Sequence, residues 1–215
     1  MTRAPGKVFI LIPAAGASAR MRGRDKLLED IDGEALLARQ VRVAVSAGAC
    51  VGVTYDPAGS PKRMEVLAKL ADPRLMTIPV PDAASGMSAS LARGTAAAMT
   101  LGGKAALTGI MVLPADMPLI NSEDIGAVIK AFTCAPDRIA RGFGADGSPG
   151  HPVIFPRRCF DNLRTLVGDT GARALLQGED ITPVPLPGVH ATLDLDTPEA
   201  WDAWRAGRGQ ARGVG

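Results

Sequence analysis

The strongest constraint in this sequence is a rhythm. Short, continuous apolar runs alternate with amphipathic segments of helical length. Val8 to Pro13 is apolar throughout and gives way to a loop rich in Gly, Ala and Ser. A run with no polar alternation reads as a strand buried on both faces. Glu34 to Ala47 reads as a helix, with Leu37, Val41 and Ala44 on one face and Gly48 as its stop. Cys50 to Tyr55 is a second strand, closed by Asp56-Pro57 and Gly59, and Pro61 opens a helix through Leu70. Leu75 to Val80 is a third strand, Ser88 to Thr100 an Ala-rich helix ended by Gly102-Gly103, and Ile110 to Leu113 a fourth strand. Ser122 to Phe132 places Ile125, Val128, Ile129 and Phe132 at i, i+3, i+4, i+7, with Glu123 and Asp124 at the positive end of the helix. Buried strands alternating with helices predict a three-layer α/β/α fold around a mainly parallel, Rossmann-like sheet.

The rhythm weakens after about Arg138. His151 to Phe155 reads as a short strand, and Phe160 to Leu166 and Gly171 to Leu176 as short helices. Thr197-Pro198-Glu199 is a helix start, with a cap, a proline in the first turn and an adjacent acid. Trp201 and Trp204 then share one face of that helix. A single domain over residues 1–206 with a flexible tail over 207–215 is expected.

Composition narrows the class of partner. The 215 residues carry 24 basic and 22 acidic side chains, a net charge of +2. Neither a nucleic-acid partner nor a membrane is expected from that balance. No secretory leader is read at the start of the chain, and no apolar run reaches membrane-spanning length. Cys50, Cys134 and Cys159 are odd in number and widely spaced, which fits neither a disulfide framework nor a zinc site. They are expected to be small buried hydrophobes, and the protein to be cytoplasmic.

The chemistry concentrates first in the loop from Pro13 to Lys26, at the carboxyl end of the first strand, where open α/β sheets bind ligands. Pro13, Ala14, Ala15 and Gly16 are small enough to let backbone N–H groups approach a phosphate chain. Arg20 offers a guanidinium fork for phosphate oxygens, and Lys26 a movable point charge. The loop is neither a Walker A sequence nor a dinucleotide fingerprint. Asp116 follows a buried strand in an apolar setting, so its carboxylate needs a partner, and a Mg²⁺ ion shared with phosphate oxygens meets that need. Gly86 and Ser88 precede a helix whose free N–H groups suit a base edge or an anion, with Ser85 beside them. Ser88 is read at the same time as a cap of that helix. Of the two histidines, His190 reads as structural.

The loop resembles the Leu-Ala-Ala-Gly-x-Ser-x-Arg-Met-Gly-x-x-Lys signature of the GT-A-like nucleotidyltransferases. The nearest branch is molybdenum cofactor cytidylyltransferase, with its guanylyltransferase relatives behind it. Further matches follow in order along the chain. Gly86-Met87-Ser88-Ala89-Ser90-Leu91 is similar to Gly-Met-Ser-x-Ser-Leu, and Leu113 to Leu119 to Leu-x-x-Asp-x-Pro-Leu. Gly150-His151-Pro152-Val153 matches Gly-His-Pro-Val, and Gly168 to Arg173 matches Gly-Asp-x-Gly-Ala-Arg. Asp194 to Glu199 matches Asp-x-Asp-Thr-Pro-Glu. Gly23 stands one place later than in many cytidylyltransferases, a spacing also found in the guanylyl branch. Pro13-Ala14-Ala15-Gly16 lacks the second glycine usual among guanylyl enzymes.

The resemblance implies Mg²⁺-dependent transfer of CMP from CTP to the phosphate of a molybdopterin-type cofactor, releasing pyrophosphate. It implies a triphosphate held by the loop, Arg20 and Lys26. It implies a metal held by Asp116 and a second carboxylate, with Asp194 and Asp196 as candidates and Asp196 at the family's position. It places His151, Asp169 and Arg173 toward the acceptor, and it implies transient contact with a molybdoenzyme or its chaperone. Three alternatives stand beside it: a guanylyl- or sugar-phosphate nucleotidyltransferase of the same fold, a non-catalytic nucleotide- or cofactor-binding chaperone, and a glycosyltransferase of related fold. The last usually carries Asp-x-Asp near mid-chain, whereas here that pair lies at Asp194/Asp196.

Overall fold

In the computed structural model, residues 7–101, 107–168 and 171–212 are described. Nine strands and six α-helices follow one another in these segments: β1 (Lys7–Pro13), β2 (Asp30–Ile31), β3 (Glu34–Ala35), α1 (Leu36–Ser46), β4 (Cys50–Tyr55), α2 (Pro61–Leu70), β5 (Leu75–Pro79), α3 (Met87–Thr100), β6 (Leu107–Val112), α4 (Ser122–Cys134), β7 (Ile139–Phe143), β8 (Pro149–Pro156), α5 (Phe160–Arg164), β9 (Ile181–Pro185) and α6 (Pro198–Arg212). Seven strands form one sheet in the order β5-β4-β1-β6-β8-β7-β9, and β2 and β3 form a small hairpin beside it. β8 alone runs against its neighbours in the large sheet, pairing antiparallel with both β6 and β7. The mainly parallel α/β architecture expected from the sequence is therefore present.

β1, enclosed between β4 and β6, shows why an unbroken apolar run is required. Phe9, Ile10, Leu11 and Ile12 are all at most 1% exposed, with successive side chains entering opposite layers. Ile10 and Ile12 pack with α1, α2 and α4 through Leu37, Val41, Leu67, Ile125 and Val128. Phe9 and Leu11 pack with α3 and α5 through Leu91, Ala98, Phe160 and Leu163. Two glycines make this packing possible. A Cβ at Gly52 on β4 would lie 2.4 Å from the Phe9 ring, and one at Gly94 on α3 would lie 2.3 Å from Leu11.

Helix ends follow their local chemistry. Asn121 caps α4, accepting from the N–H of Glu123 and Asp124 while Asp124 reaches back to the Asn121 N–H, a capping box. His190 packs on the same cap, its Nδ1 lying 2.8 Å from Asp124, a structural placement. Thr197 Oγ1 accepts from the Ala200 N–H at the start of α6.

Several expectations change. α3 begins at Met87 with Gly86 as its N-cap and no side-chain cap bond. Ser88 instead lies inside the first turn, fully buried with its Oγ unpartnered, so it is not the cap. Cys50 and Cys134 are exposed, because one opens an edge of β4 and the other closes α4; only Cys159 is buried. β7, β9 and the β2–β3 hairpin went unread, being short and interrupted by Gly and Pro. α6 runs from Pro198 to Arg212. Arg205 and Arg208 lie over the Trp201 and Trp204 rings, and Arg208 pairs with Asp32.

Candidate active site

β1 and β6 are neighbours, and each ends in a loop at its carboxyl edge. Between these loops runs a cleft of about 620 Å³. Pro13, Ala14, Ala15, Gly16, Arg20, Lys26, Gly86, Asp116, His151, Arg173, Asp194 and Asp196 all line it. Residues more than 150 positions apart thus share one wall. Ser85 and Ser88 do not line the cleft; Ser85 faces a shallow groove with Arg93 and Arg164, and Ser90, two residues beyond Ser88, lines the cleft instead. Asp169 lies outside the described residues.

The carboxylates converge because the backbone is tied there. The Leu195 N–H donates to the Asp116 carbonyl at 3.1 Å, and the Trp201 indole N–H donates to the Leu195 carbonyl at 3.2 Å. Trp201 is fully buried against Met21, Ile31 and Leu36, so α6 anchors the strip that carries Asp194 and Asp196. One oxygen from each of Asp116, Asp194 and Asp196 lies within 4.8 Å of the others. Three carboxylates at that separation repel strongly, and the fold supplies cations to offset this. Lys26 Nζ donates to Asp116 Oδ2 at 2.6 Å and to Asp196 Oδ1, and Arg20 Nη2 lies 2.6 Å from Asp196 Oδ2.

Titration behaviour follows this crowding. Burial lowers the Lys26 pKa, but Asp116 and then Asp196 outweigh it, and the ammonium is held above its ordinary value. Burial raises Asp196, yet Lys26 and Arg20 bring its carboxyl below the ordinary range. Asp194 has neither contact; burial and the charges of Asp196 and Asp116 push it up. A hard, multiply charged cation is what such an all-oxygen set fits.

The part of the cleft that adjoins a second cavity has different chemistry. Arg141, on β7, was not singled out from the sequence; its Nε donates to the Gly150 carbonyl at 2.9 Å. Burial, then the charge of Arg173, lowers its pKa. Neither Arg141 nor Arg173 has an acidic partner among the described residues. His151 stands beside them, its pKa lowered to about 4 by burial and by Arg141, so its ring is neutral at physiological pH. Its Nδ1 is buried without a partner. This side chamber, of about 340 Å³, is walled by Leu91, Val112, Val153, Phe155 and Leu176.

The loop between Pro13 and Lys26 holds its shape through a residue that local sequence reading passed over. Arg63 lies in the first turn of α2 with only 8% of its side chain accessible. Its Nη1 donates to the Ala14 and Gly16 carbonyls at 2.6 and 2.8 Å. Its Nε and Nη2 grip both oxygens of Asp25 at 2.7 Å. The Ala14 N–H is taken by Thr54 Oγ1 at 3.1 Å, while the N–H groups of Ala15, Gly16 and Ala17 bond to no protein atom among the described residues.

A strand-end loop with free amides, two cations and a carboxylate cluster has the chemistry to receive a phosphate chain and a divalent cation side by side. Residues 10–184 match the MobA-like NTP transferase domain. The chain belongs to this family. Purine catabolism protein PucB of Bacillus subtilis (strain 168) is 27% identical, with 94% of this chain and 98% of that protein covered. Among solved structures, the homolog of Mycobacterium tuberculosis Rv0371c from Mycobacterium sp. strain JC1 superposes with a TM-score of 0.76 at 27% identity, covering 95% of this chain and 98% of that one. Rv0371c of M. tuberculosis H37Rv in complex with manganese superposes at 0.67 with 22% identity, covering 94% and 98%. Function is thereby of the nucleotidyltransferase type. No helix among the described residues is long and apolar enough to cross a membrane.

Proposed function

We propose that this protein transfers CMP from CTP to the phosphate of a molybdopterin-type cofactor. The observation that carries the reading is the set of groups gathered in one cleft: the small-residue loop with Arg20 and Lys26, the Asp116/Asp194/Asp196 cluster, and Arg141, Arg173 and His151. Triphosphate, reacting centre and anionic acceptor each meet matching chemistry there. The choice of CTP and of a molybdopterin acceptor rests on the motif resemblance, in particular Pro13-Ala14-Ala15-Gly16 and Gly150-His151-Pro152-Val153.

The loop amides and Arg20 bind the β- and γ-phosphates and fix the α-phosphorus facing the acceptor. An acceptor phosphate oxygen attacks the α-phosphorus, the α–β bridging P–O bond breaks, and pyrophosphate leaves with the bonding electrons. No protein nucleophile takes part; the residues align the reactants and neutralise charge. Lys26, freed from the carboxylates, neutralises the leaving pyrophosphate. Asp116 and Asp196, with Asp194 within reach, would hold a Mg²⁺ ion, which would supply electrostatic stabilisation of the phosphate oxygens. The manganese complex of Rv0371c supports a divalent ion in this fold. Arg141 and Arg173 hold the acceptor anion against the side chamber, and His151, which lines the same wall, is assigned to the acceptor by its motif. Asp169 is assigned to acceptor positioning by its motif alone. A molybdoenzyme or its chaperone receives the product.

The test is pyrophosphate release with Mg²⁺ and molybdenum cofactor, offering CTP and GTP in parallel, with Asp116→Ala as control. Release with CTP, little with GTP, and loss in the variant are expected. Release with GTP alone moves the protein to the guanylyl branch. Silence with both, from folded protein and intact acceptor, overturns the acceptor assignment.

A further inference from the structure

We infer that Arg63 is the positioning residue of the nucleotide loop: from behind, it sets the direction of the amides that receive the triphosphate. The inference rests on the nucleotidyl-transfer reading above.

A guanidinium has five N–H groups, and here all five are used. Two go to the Ala14 and Gly16 carbonyls, one to Ser18 Oγ at 3.0 Å, and two to the Asp25 carboxylate. Because a trans peptide is planar, its C=O and N–H point in opposite directions. Pulling the Ala14 carbonyl toward Arg63 therefore turns the Ala15 N–H away from it, and pulling the Gly16 carbonyl does the same to the Ala17 N–H. Ala15 and Gly16 line the cleft, whereas Arg63 and Ala17 do not; both line a second cavity of about 350 Å³ that Ala15 and Gly16 also border. The guanidinium thus touches neither a cleft-lining side chain nor the place a substrate would occupy.

The same group also fixes Lys26. Asp25, held bidentately by Arg63, accepts from the Leu27 N–H at 3.1 Å and caps the short turn Lys26–Leu28. Ser18 and Arg22 within the loop adopt left-handed φ of 54° and 53°, conformations that a loop of non-glycine residues keeps only when its surroundings impose them. Thr54, at the end of β4, holds the loop's first amide, so α2 and β4 together brace it. One cation therefore couples the amide cradle to the turn that carries Lys26. Neither an apolar residue nor lysine reproduces this, since lysine presents donors from a single point.

The experiment measures binding of CTP and GTP with Mg²⁺ to wild type, Arg63→Ala, Arg63→Lys and Asp25→Asn. Hydrogen exchange of the amides of residues 15–17 is followed without nucleotide, and foldedness by circular dichroism and thermal unfolding. The Ala variant is expected to bind nucleotide about ten- to a hundredfold more weakly, the loss of one charge-assisted amide bond to phosphate. Its loop amides exchange faster, and added guanidinium at non-denaturing concentration restores both properties where equal urea does not. The Lys variant falls between, with Asp25→Asn beside it; if the Ala variant does not fold, these two carry the test. Folded variants with unchanged affinity and unchanged loop exchange overturn the inference. Faster loop exchange with no change in nucleotide affinity overturns it also, reducing Arg63 to a structural brace. Wild type that binds neither nucleotide refutes the nucleotidyl-transfer reading itself, a result distinct from both.

Discussion

Lys26→Met tests whether the lysine stands in for a metal ion. The substitution keeps most of the side-chain stem and deletes the ammonium that now bridges Asp116 and Asp196. Two unit charges 4.8 Å apart repel by 332/(20 × 4.8), about 3.5 kcal/mol, at the effective dielectric suited to partly buried groups. Three carboxylates form three such pairs, about 10 kcal/mol if all stayed ionised. They would not: the variant relieves most of this by taking up a proton. Removing one partner of a buried ion pair costs about 3–5 kcal/mol. Asp194 is exposed, and Lys26 and Asp116 keep 19% and 16% of their side-chain accessibility, which favours the lower end. A loss of about 2–3 kcal/mol in the metal-free protein lowers Tm by roughly 4–12 °C for a chain of this length. Divalent metal should restore it, because ligand at a hundred times its Kd adds about 2.7 kcal/mol. With no ammonium competing for the oxygens, the variant should bind Mn²⁺ or Mg²⁺ at least about tenfold more tightly, a gain of about 1.4 kcal/mol. It should nonetheless lose turnover, for want of a cation on pyrophosphate. The assays are thermal unfolding in chelator and in metal, and calorimetric metal titration. Equal stability in chelator, or metal binding no tighter than wild type, refutes the reasoning.

Other outcomes follow from single contacts. Trp201→Ala should cost about 3–5 kcal/mol as a buried aromatic. It should also weaken metal binding, because its indole bond to Leu195 holds the Asp196 strip in place; thermal unfolding and metal titration of the same sample check both. His151 carries a folded pKa of about 4 against 6.5 when unfolded, so its stabilising contribution is complete above pH 6.5 and is lost as pH falls toward 4. That span is worth about 3 kcal/mol. His151→Gln should flatten this limb of the stability–pH curve, and an unchanged limb excludes His151 as its source. Gly150→Ala places a Cβ 1.9 Å from the Ala191 carbonyl oxygen, a backbone clash with no rotamer to relieve it. It should destabilise by about 3 kcal/mol or more, beyond the usual cost of overpacking, as read by denaturant unfolding.

Sequence and tertiary structure divide this protein along a physical line. Periodicity is local, so β1, α1, β4, α2, β5, α3 and α4 were legible, and β4 and α2 fall on the expected bounds. Motif residues were legible as chemistry: Lys26, Asp116 and Asp196 carry charges that a buried setting must answer. That they answer one another was not legible, since they are separated by 90 and 170 positions and meet through sheet order and the Leu195–Asp116 backbone bond. Arg141 sits on a strand too short and glycine-interrupted to read, and Arg63 looks like any arginine in the first turn of a surface helix. Exposure followed the same rule, as Cys50 and Cys134 show: residue type states a preference for the interior, but packing decides which positions receive it. The order of residues fixed what each segment could become and which charges needed partners. Only the folded arrangement, through long-range contacts that no local window contains, chose the partners.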